Sequence, residues 1–273
     1  MRIYRVVLSF AVALVLVGCS SSDKKSDFAQ EESVEVLYNK AAAALDDKQY
    51  VEATRLFDEV ERQHPYSQWA TQAQLMAAYS SYKNQRYDEA VLALDRFVEL
   101  HPGSKDIDYA YYLRALSFYE QISDVRRDQE MTGLALQSLE TLIRLYPNSK
   151  YARDAGLKRD LTLDHLAGKE MEIGRYYINR GHINAAINRF LVVVKEYQTT
   201  THTAEALHRL VEAYLTLGIK DEATRVASVL GYNYPGSKWY ERSYALLDDK
   251  ARQQIIDERS FVDRTIESIF KPD

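Results

Sequence analysis

The sequence predicts an all-α chain: a right-handed α-α superhelix of about five helix pairs, closed by a C-terminal capping helix. Three observations carry this. One apolar block recurs five times without a gap, four of the five prolines fall at a single position of that block, and the chain has only 10 glycines in 273 residues with almost no strand-like alternation. In register, Ala53, Ala90, Ala135, Ala186 and Ala223 open the block. Four residues on stand Phe57, Leu94, Leu139, Phe190 and Ala227, and seven on stand Val60, Phe97, Leu142, Val193 and Leu230. Eleven on come His64, His101, Tyr146, Tyr197 and Tyr234, followed by Pro65, Pro102, Pro147, Gln198 and Pro235.

Positions 0, +4 and +7 lie on one face of a helix, so each copy presents an apolar stripe. The alanine allows another helix to come close. Proline cannot continue the helix and biases the residue before it away from α, which ends each copy. One such helix cannot bury its stripe alone, whereas a stack of helix pairs does. Successive alanines are 37, 45, 51 and 37 residues apart, so the third and fourth units carry 8 and 14 extra residues. Because the blocks themselves are uninterrupted, the excess belongs to the turn or the first helix of those units.

Taken in order, unit one pairs a helix from about Val34 to Leu45 with the block ending at His64. Unit two begins with a helix from Gln68 to Asn84, and unit three with one from Ile107 to about Gln121, the densest aromatic face in the chain. The charged stretch Ser123–Glu130 between the helices of unit three lacks apolar anchors and reads as a solvated loop. Unit four starts at Ser149-Lys150 and runs helically toward Asn179, with Gly156, Gly168 and Gly174 weakening it and a bend or break expected near Ala167-Gly168. Unit five is regular. A capping helix is expected from Lys238 to about Gln254, since the last pair would otherwise expose its apolar face. Beyond it, residues 255–273 form a tail in which Val262, Ile266 and Ile269 share a helical face. That tail serves either as extra cap or as a partner contact.

Residues 1–18 have the form of a signal peptide: Arg2 and Arg5 precede an apolar run from Val6 to Val17, too short to span a membrane comfortably. The run ends in Leu16-Val17-Gly18-Cys19, which resembles a bacterial lipoprotein processing site, and Cys19 is the only cysteine in the chain. Cys19 is therefore the expected lipidation site, and residues 19–33 a polar tether. With one cysteine, no internal disulfide is available. The net charge of −5 leaves no basic footprint, so nucleic acid is not an expected partner.

No His-Glu-x-x-His, Gly-x-Ser-x-Gly, phosphate-binding glycine loop or paired-cysteine metal motif occurs, so neither an enzyme, a metal site nor a cofactor is expected. His64 and His101 occupy the position that elsewhere holds tyrosine, which suits helix-end packing.

Ile173-Gly174, Tyr177, Gly181, Ala186 and Phe190, and Leu207, Leu210, Tyr214, Gly218, Ala223 and Pro235, resemble tetratricopeptide repeats over roughly residues 33–237. In such repeats the first helix of each pair lines a concave groove. The resemblance thus places Tyr38, Leu75, Tyr79, Tyr82, Tyr109, Tyr112, Leu116 and Tyr119 at or near the groove of units one to three (residues 34–148). An aromatic, partly polar groove suits an extended or helical peptide, although many of these tyrosines also fit packing between repeats.

The lipobox, tether, five repeats, Pro-x-Ser helix ends (Pro102-Gly-Ser104, Pro147-Asn-Ser149, Pro235-Gly-Ser237), the loop containing Arg126, Arg127, Asp128 and Gln129, and the long fourth-unit helix together resemble the BamD family of β-barrel assembly lipoproteins. The resemblance implies a non-enzymatic scaffold on the periplasmic face of the outer membrane, held there by its lipid anchor. It implies that residues 149–254 dock the POTRA domains of the barrel subunit BamA, beside other assembly lipoproteins, and that units one to three receive the C-terminal signals of unfolded outer-membrane proteins. The loop residues Arg126 to Gln129 are candidates for partner docking. The alternative is a repeat lipoprotein serving peptidoglycan synthesis or envelope constriction.

Overall fold

The computed structural model describes residues 32–253. Cys19, with the signal peptide and tether up to residue 31, and the tail from residue 254 lie outside the described residues. Eleven helices occur in the described part: α1 (Val34–Asp46), α2 (Tyr50–Gln63), α3 (Gln68–Lys83), α4 (Tyr87–Leu100), α5 (Ile107–Tyr119), α6 (Glu130–Leu145), α7 (Ala152–Asn179), α8 (Ile183–Glu196), α9 (Thr203–Thr216), α10 (Lys220–Asn233) and α11 (Lys238–Leu246). They pack as five consecutive pairs, and α11 closes the array against α9 and α10. The first helices α1, α3, α5 and α7 also touch one another in series, which makes them one wall of the array.

Each block residue at 0, +4 and +7 is buried to within 1 % exposure, as the periodicity requires. The pairs are also matched in volume. Opposite the +4 residue, the first helix supplies Ala41 to Phe57, Ala78 to Leu94, Ala115 to Leu139, Gly174 to Phe190 and Val211 to Ala227. Alanine accepts Phe or Leu in units one to three, glycine faces Phe in unit four, and in unit five the sizes reverse to Val against Ala.

The ends of the second helices share one geometry. His64, His101, Tyr146, Tyr197 and Tyr234 adopt φ of −126° to −132° and ψ of 40° to 57°. Their carbonyls each accept from the N–H three residues on, at Ser67, Ser104, Ser149, Thr200 and Ser237. Tyr197 does this without a following proline, so the turn defines the geometry and proline fits it. His64 and His101 pack the helix ends as expected: His64 Nε2 is 2.8 Å from the Glu32 carbonyl, and His101 Nε2 is 2.7 Å from Gln74 Oε1.

The turns within pairs share a second device. Lys48, Gln85, Gly181 and Gly218 stand five residues before the block alanine, with φ between 60° and 76°. An L side chain there costs about 1–2 kcal/mol. Gly181→Ala and Gly218→Ala should each cost about 1 kcal/mol after the gain in unfolded-state entropy is subtracted, readable as a lower urea midpoint with unchanged slope.

Three sequence expectations need correction. The long helix does not bend or break near Ala167-Gly168: α7 runs unbroken for 28 residues, about 42 Å. Gly168 is buried because Val125 and His202 sit over it, 3.6 and 3.2 Å from where a Cβ would stand. The same contact shows that the unit-three loop has an apolar anchor, Val125. The cap, finally, ends at Leu246 and not near residue 254. Leu247 is extended at ψ 150°, and the chain turns helical again only at Asp249. Leu247 uses that break to bury itself among Val211, Ala223 and Ala227.

Candidate binding surface

The wall formed by α1, α3, α5 and α7 is faced with aromatic rings in units one to three. Tyr38 packs on Phe57 at 5.4 Å between centroids and on Trp69 at 4.7 Å. Tyr79 is half-buried on the core formed by Leu75, Ala78 and Leu94. Tyr82 pairs with Tyr87 at 5.7 Å and donates its hydroxyl proton to Glu120 at 3.4 Å. Tyr109 and Tyr112 both meet Tyr151, the first tilted at 5.3 Å and the second stacked at 4.8 Å with planes 14° apart. The Tyr112 hydroxyl donates to Asp154, while Tyr119 lies under the Lys158 ammonium, 5.6 Å from its ring centre.

Of the eight sequence-assigned groove residues, Leu75 is the exception: at 2 % exposure it belongs to the core and reaches the surface only as a floor. Leu116 and the six tyrosines are half-buried. Leu75 floors a hollow of about 780 Å³ walled by Trp69, Gln72, Phe97 and Ser104. Lys105 stands between this hollow and a second of about 340 Å³ floored by Ile107 and Tyr146.

Sequence reasoning missed Trp69, Tyr151 and Asp154. A signal for the two aromatics exists: Trp69, Tyr151 and also Trp239 stand four residues after a repeat proline, at the mouth of the next first helix.

Tyr38, Tyr82, Tyr109 and Tyr112 are each held in the neutral form. Burial pushes Tyr82 up to about 12, reinforced by the Glu120 carboxylate. Burial also raises Tyr38 and Tyr109. At Tyr112 burial acts first and the bond to Asp154 second. Asp154 moves the other way, below the usual carboxylate range, chiefly through the Tyr112 bond and then Lys158. Its contribution to stability is therefore present at neutral pH and fades as pH falls through that depressed range. The wall thus combines ring faces with phenol hydroxyls that Glu120 and Asp154 already hold and the Lys158 ammonium over Tyr119.

The loop of unit three is tied down by its backbone. Lys169 on α7 donates to the carbonyls of Arg126 and Arg127 at 3.0 and 3.1 Å. Gln129 donates to the carbonyls of Asp124 and Arg127, and Asp128 accepts from the Glu130 N–H at 2.8 Å. The side chains of Arg126, Arg127 and Asp128 stay exposed, with Arg126 3.7 Å from Glu172. The loop thus bridges units three and four and presents a charged rim. Farther along, Tyr177, Ala185, Asn188, Arg189 and Val192 line a small hollow of about 200 Å³ between α7 and α8.

Comparison with known proteins bears on this architecture. The family model described as outer membrane lipoprotein (YfiO) matches residues 30–230, from before α1 into α10 of the fifth pair. The outer membrane protein assembly factor BamD of Caulobacter vibrioides is 47% identical over 252 residues, 92% of this chain and 83% of the relative. The chain belongs to the BamD family. The BamD of Rickettsia prowazekii is 50% identical over 236 residues, covering 86% of this chain and 93% of the relative, and that of Neisseria meningitidis serogroup A is 35% identical over 253 residues. The BamD match is not confined to repeat signatures, since it takes in the bridging loop and the 28-residue α7. No helix among the described residues is long and apolar enough to cross a membrane, and none of them form a cluster of three or more potential metal ligands.

Proposed function

We propose that this chain is an outer-membrane lipoprotein scaffold of the β-barrel assembly machinery, anchored through Cys19 on the periplasmic face. Units one to three receive the C-terminal targeting signals of unfolded outer-membrane proteins along the tyrosine wall. Units four and five, with α7 and the loop residues Arg126 to Gln129, dock the POTRA domains of BamA beside the other assembly lipoproteins. The observation that carries this reading is membership of the BamD family over all five pairs. The aromatic wall, with its half-buried tyrosine rings, supports the substrate half. The firm backbone attachment of the loop to α7 supports the docking half, because a tethered loop loses little entropy on binding.

The deciding experiment is a mild-detergent pull-down of the tagged chain from its own envelope. A barrel protein carrying POTRA domains, recovered in stoichiometric amount, is the expected outcome. Peptidoglycan enzymes or constriction proteins in its place would move the function to cell-wall scaffolding. The anchor has its own test: Cys19→Ser should yield a soluble or unprocessed form, and normal membrane fractionation of that variant would refute lipidation.

A further inference from the structure

The joint between α9 and the cap α11 contains the one buried histidine of the described residues. His208 is 3 % exposed and Ser243 is fully buried. Their Nδ1 and Oγ atoms lie 2.8 Å apart, and His208 Nε2 is 3.4 Å from Glu212 Oε1. The imidazole packs on the Trp239 indole with centroids 5.2 Å apart. Trp239 is in turn surrounded by the cations of Lys238, Arg242 and Arg209 at 4.9, 5.2 and 5.8 Å from the ring centre. With the Nε2 proton toward Glu212, the Ser243 hydroxyl donates to Nδ1 and every polar atom of the joint is satisfied.

We propose that this joint is a proton-operated latch that holds α11 on the array at neutral pH and releases it on acidification. Adding a proton turns Nδ1 from acceptor to donor, so the fully buried Ser243 hydroxyl has to reverse in place. The new charge is buried and faces Arg209 on its own helix and Arg242 on α11, whose guanidinium groups already stand around the Trp239 ring. Glu212 and, one turn back, Glu205 oppose them, but Glu205 already accepts from Arg175 on α7 and Glu212 from Arg209. From α10 the joint meets the apolar residues Val226 and Leu230 with Tyr234. Burial outweighs Glu212 and holds the imidazole below its ordinary 6.5.

The sign follows. Above 6.5 the ring is neutral folded or unfolded; below it the unfolded form takes up the proton first. Stability therefore declines with falling pH, by up to tenfold in the unfolding equilibrium per pH unit, until the folded-state value is passed. The small contact of α11 makes this joint the part that yields first. The latch does not depend on the partner assignment above.

The two tryptophans make the test direct, since Trp69→Phe leaves Trp239 as sole reporter. The emission maximum of the mature protein should move to the red between pH 7.5 and 5, with far-UV helicity nearly unchanged. The maximum is read, not the intensity, because a protonated imidazole quenches its neighbour even in place. His208→Gln should abolish the shift. Glu212→Gln should move its midpoint to less acidic pH, because it widens the gap between the released and docked imidazole, and Arg242→Gln to more acidic pH, and this pair decides the matter if the glutamine variant fails to fold. An unmoved maximum in the parent down to pH 5, a shift that survives His208→Gln, or midpoints of the two charge variants moving the same way would each overturn the latch.

Discussion

Gly174→Ala should destabilise the protein by about 2 kcal/mol, although alanine is the better helix former. An added Cβ would stand 2.3 Å from Phe190 Cε1, closer than packed atoms approach, and Phe190 is fully buried with no space to move into. Gly156→Ala in the same helix meets nothing within 4 Å and should stabilise by roughly 0.5–1 kcal/mol. The matched volumes along the stack add a sharper test. Gly174→Ala combined with Phe190→Leu recreates the Ala–Leu pair of units two and three, so the double variant should recover most of the loss. Urea unfolding of the four proteins measures this. Additive losses in the double variant would mean that each unit's core is individually shaped and not set by a shared volume rule.

That rule marks where the sequence stops being readable. Ala53 to Val60 and its four copies announce their buried face by spacing alone, because a helix converts period into side. Of the partner positions Ala41, Ala78, Ala115, Gly174 and Val211, only Gly174 falls in the repeat signature, and spacing shows the size required at none of them. Their identity makes sense only against the residue across the pair. Gly168 misled for the same reason: inside a helix it reads as weakness, and only the tertiary contact with Val125 and His202 reveals it as clearance for a docked loop. The break at Leu247 was equally hidden, since Leu246 and Leu247 look alike until one is buried and the other is 49 % exposed.

The candidate groove was legible by element but not by contact. The repeat assigns Tyr109, Tyr112 and Tyr119 to a first helix, and the structure keeps them on that wall. It could not show that Tyr151, from the next unit, meets two of them and stacks on Tyr112, or that Asp154 holds the Tyr112 hydroxyl. Contacts between units depend on superhelical geometry, which a 37-residue period leaves open.

Those contacts change what the groove prediction has to separate. Replacing Tyr112 and Tyr119 together by Ala should weaken capture of a peptide ending in an aromatic residue by more than tenfold, about 1.4 kcal/mol, since each ring contact contributes about 0.5–1.5 kcal/mol. Binding of the BamA POTRA region should persist. The double variant also strips Tyr151 of its stacking partner and Asp154 of its donor, so a loss of affinity alone could report a disordered α5–α7 junction. Tyr112→Phe resolves this. It keeps the ring on Tyr151 but removes the hydroxyl, returning the Asp154 carboxyl toward its ordinary range, which carbon NMR of that carboxyl reads directly. If the ring face captures the peptide, Tyr112→Phe should hold affinity within about twofold while the carboxyl titration moves. If the phenolic proton is the recognition element, the phenylalanine variant falls with the alanine one. Unchanged peptide affinity in the double alanine variant, with helicity and POTRA binding intact, would remove the tyrosine wall from substrate recognition.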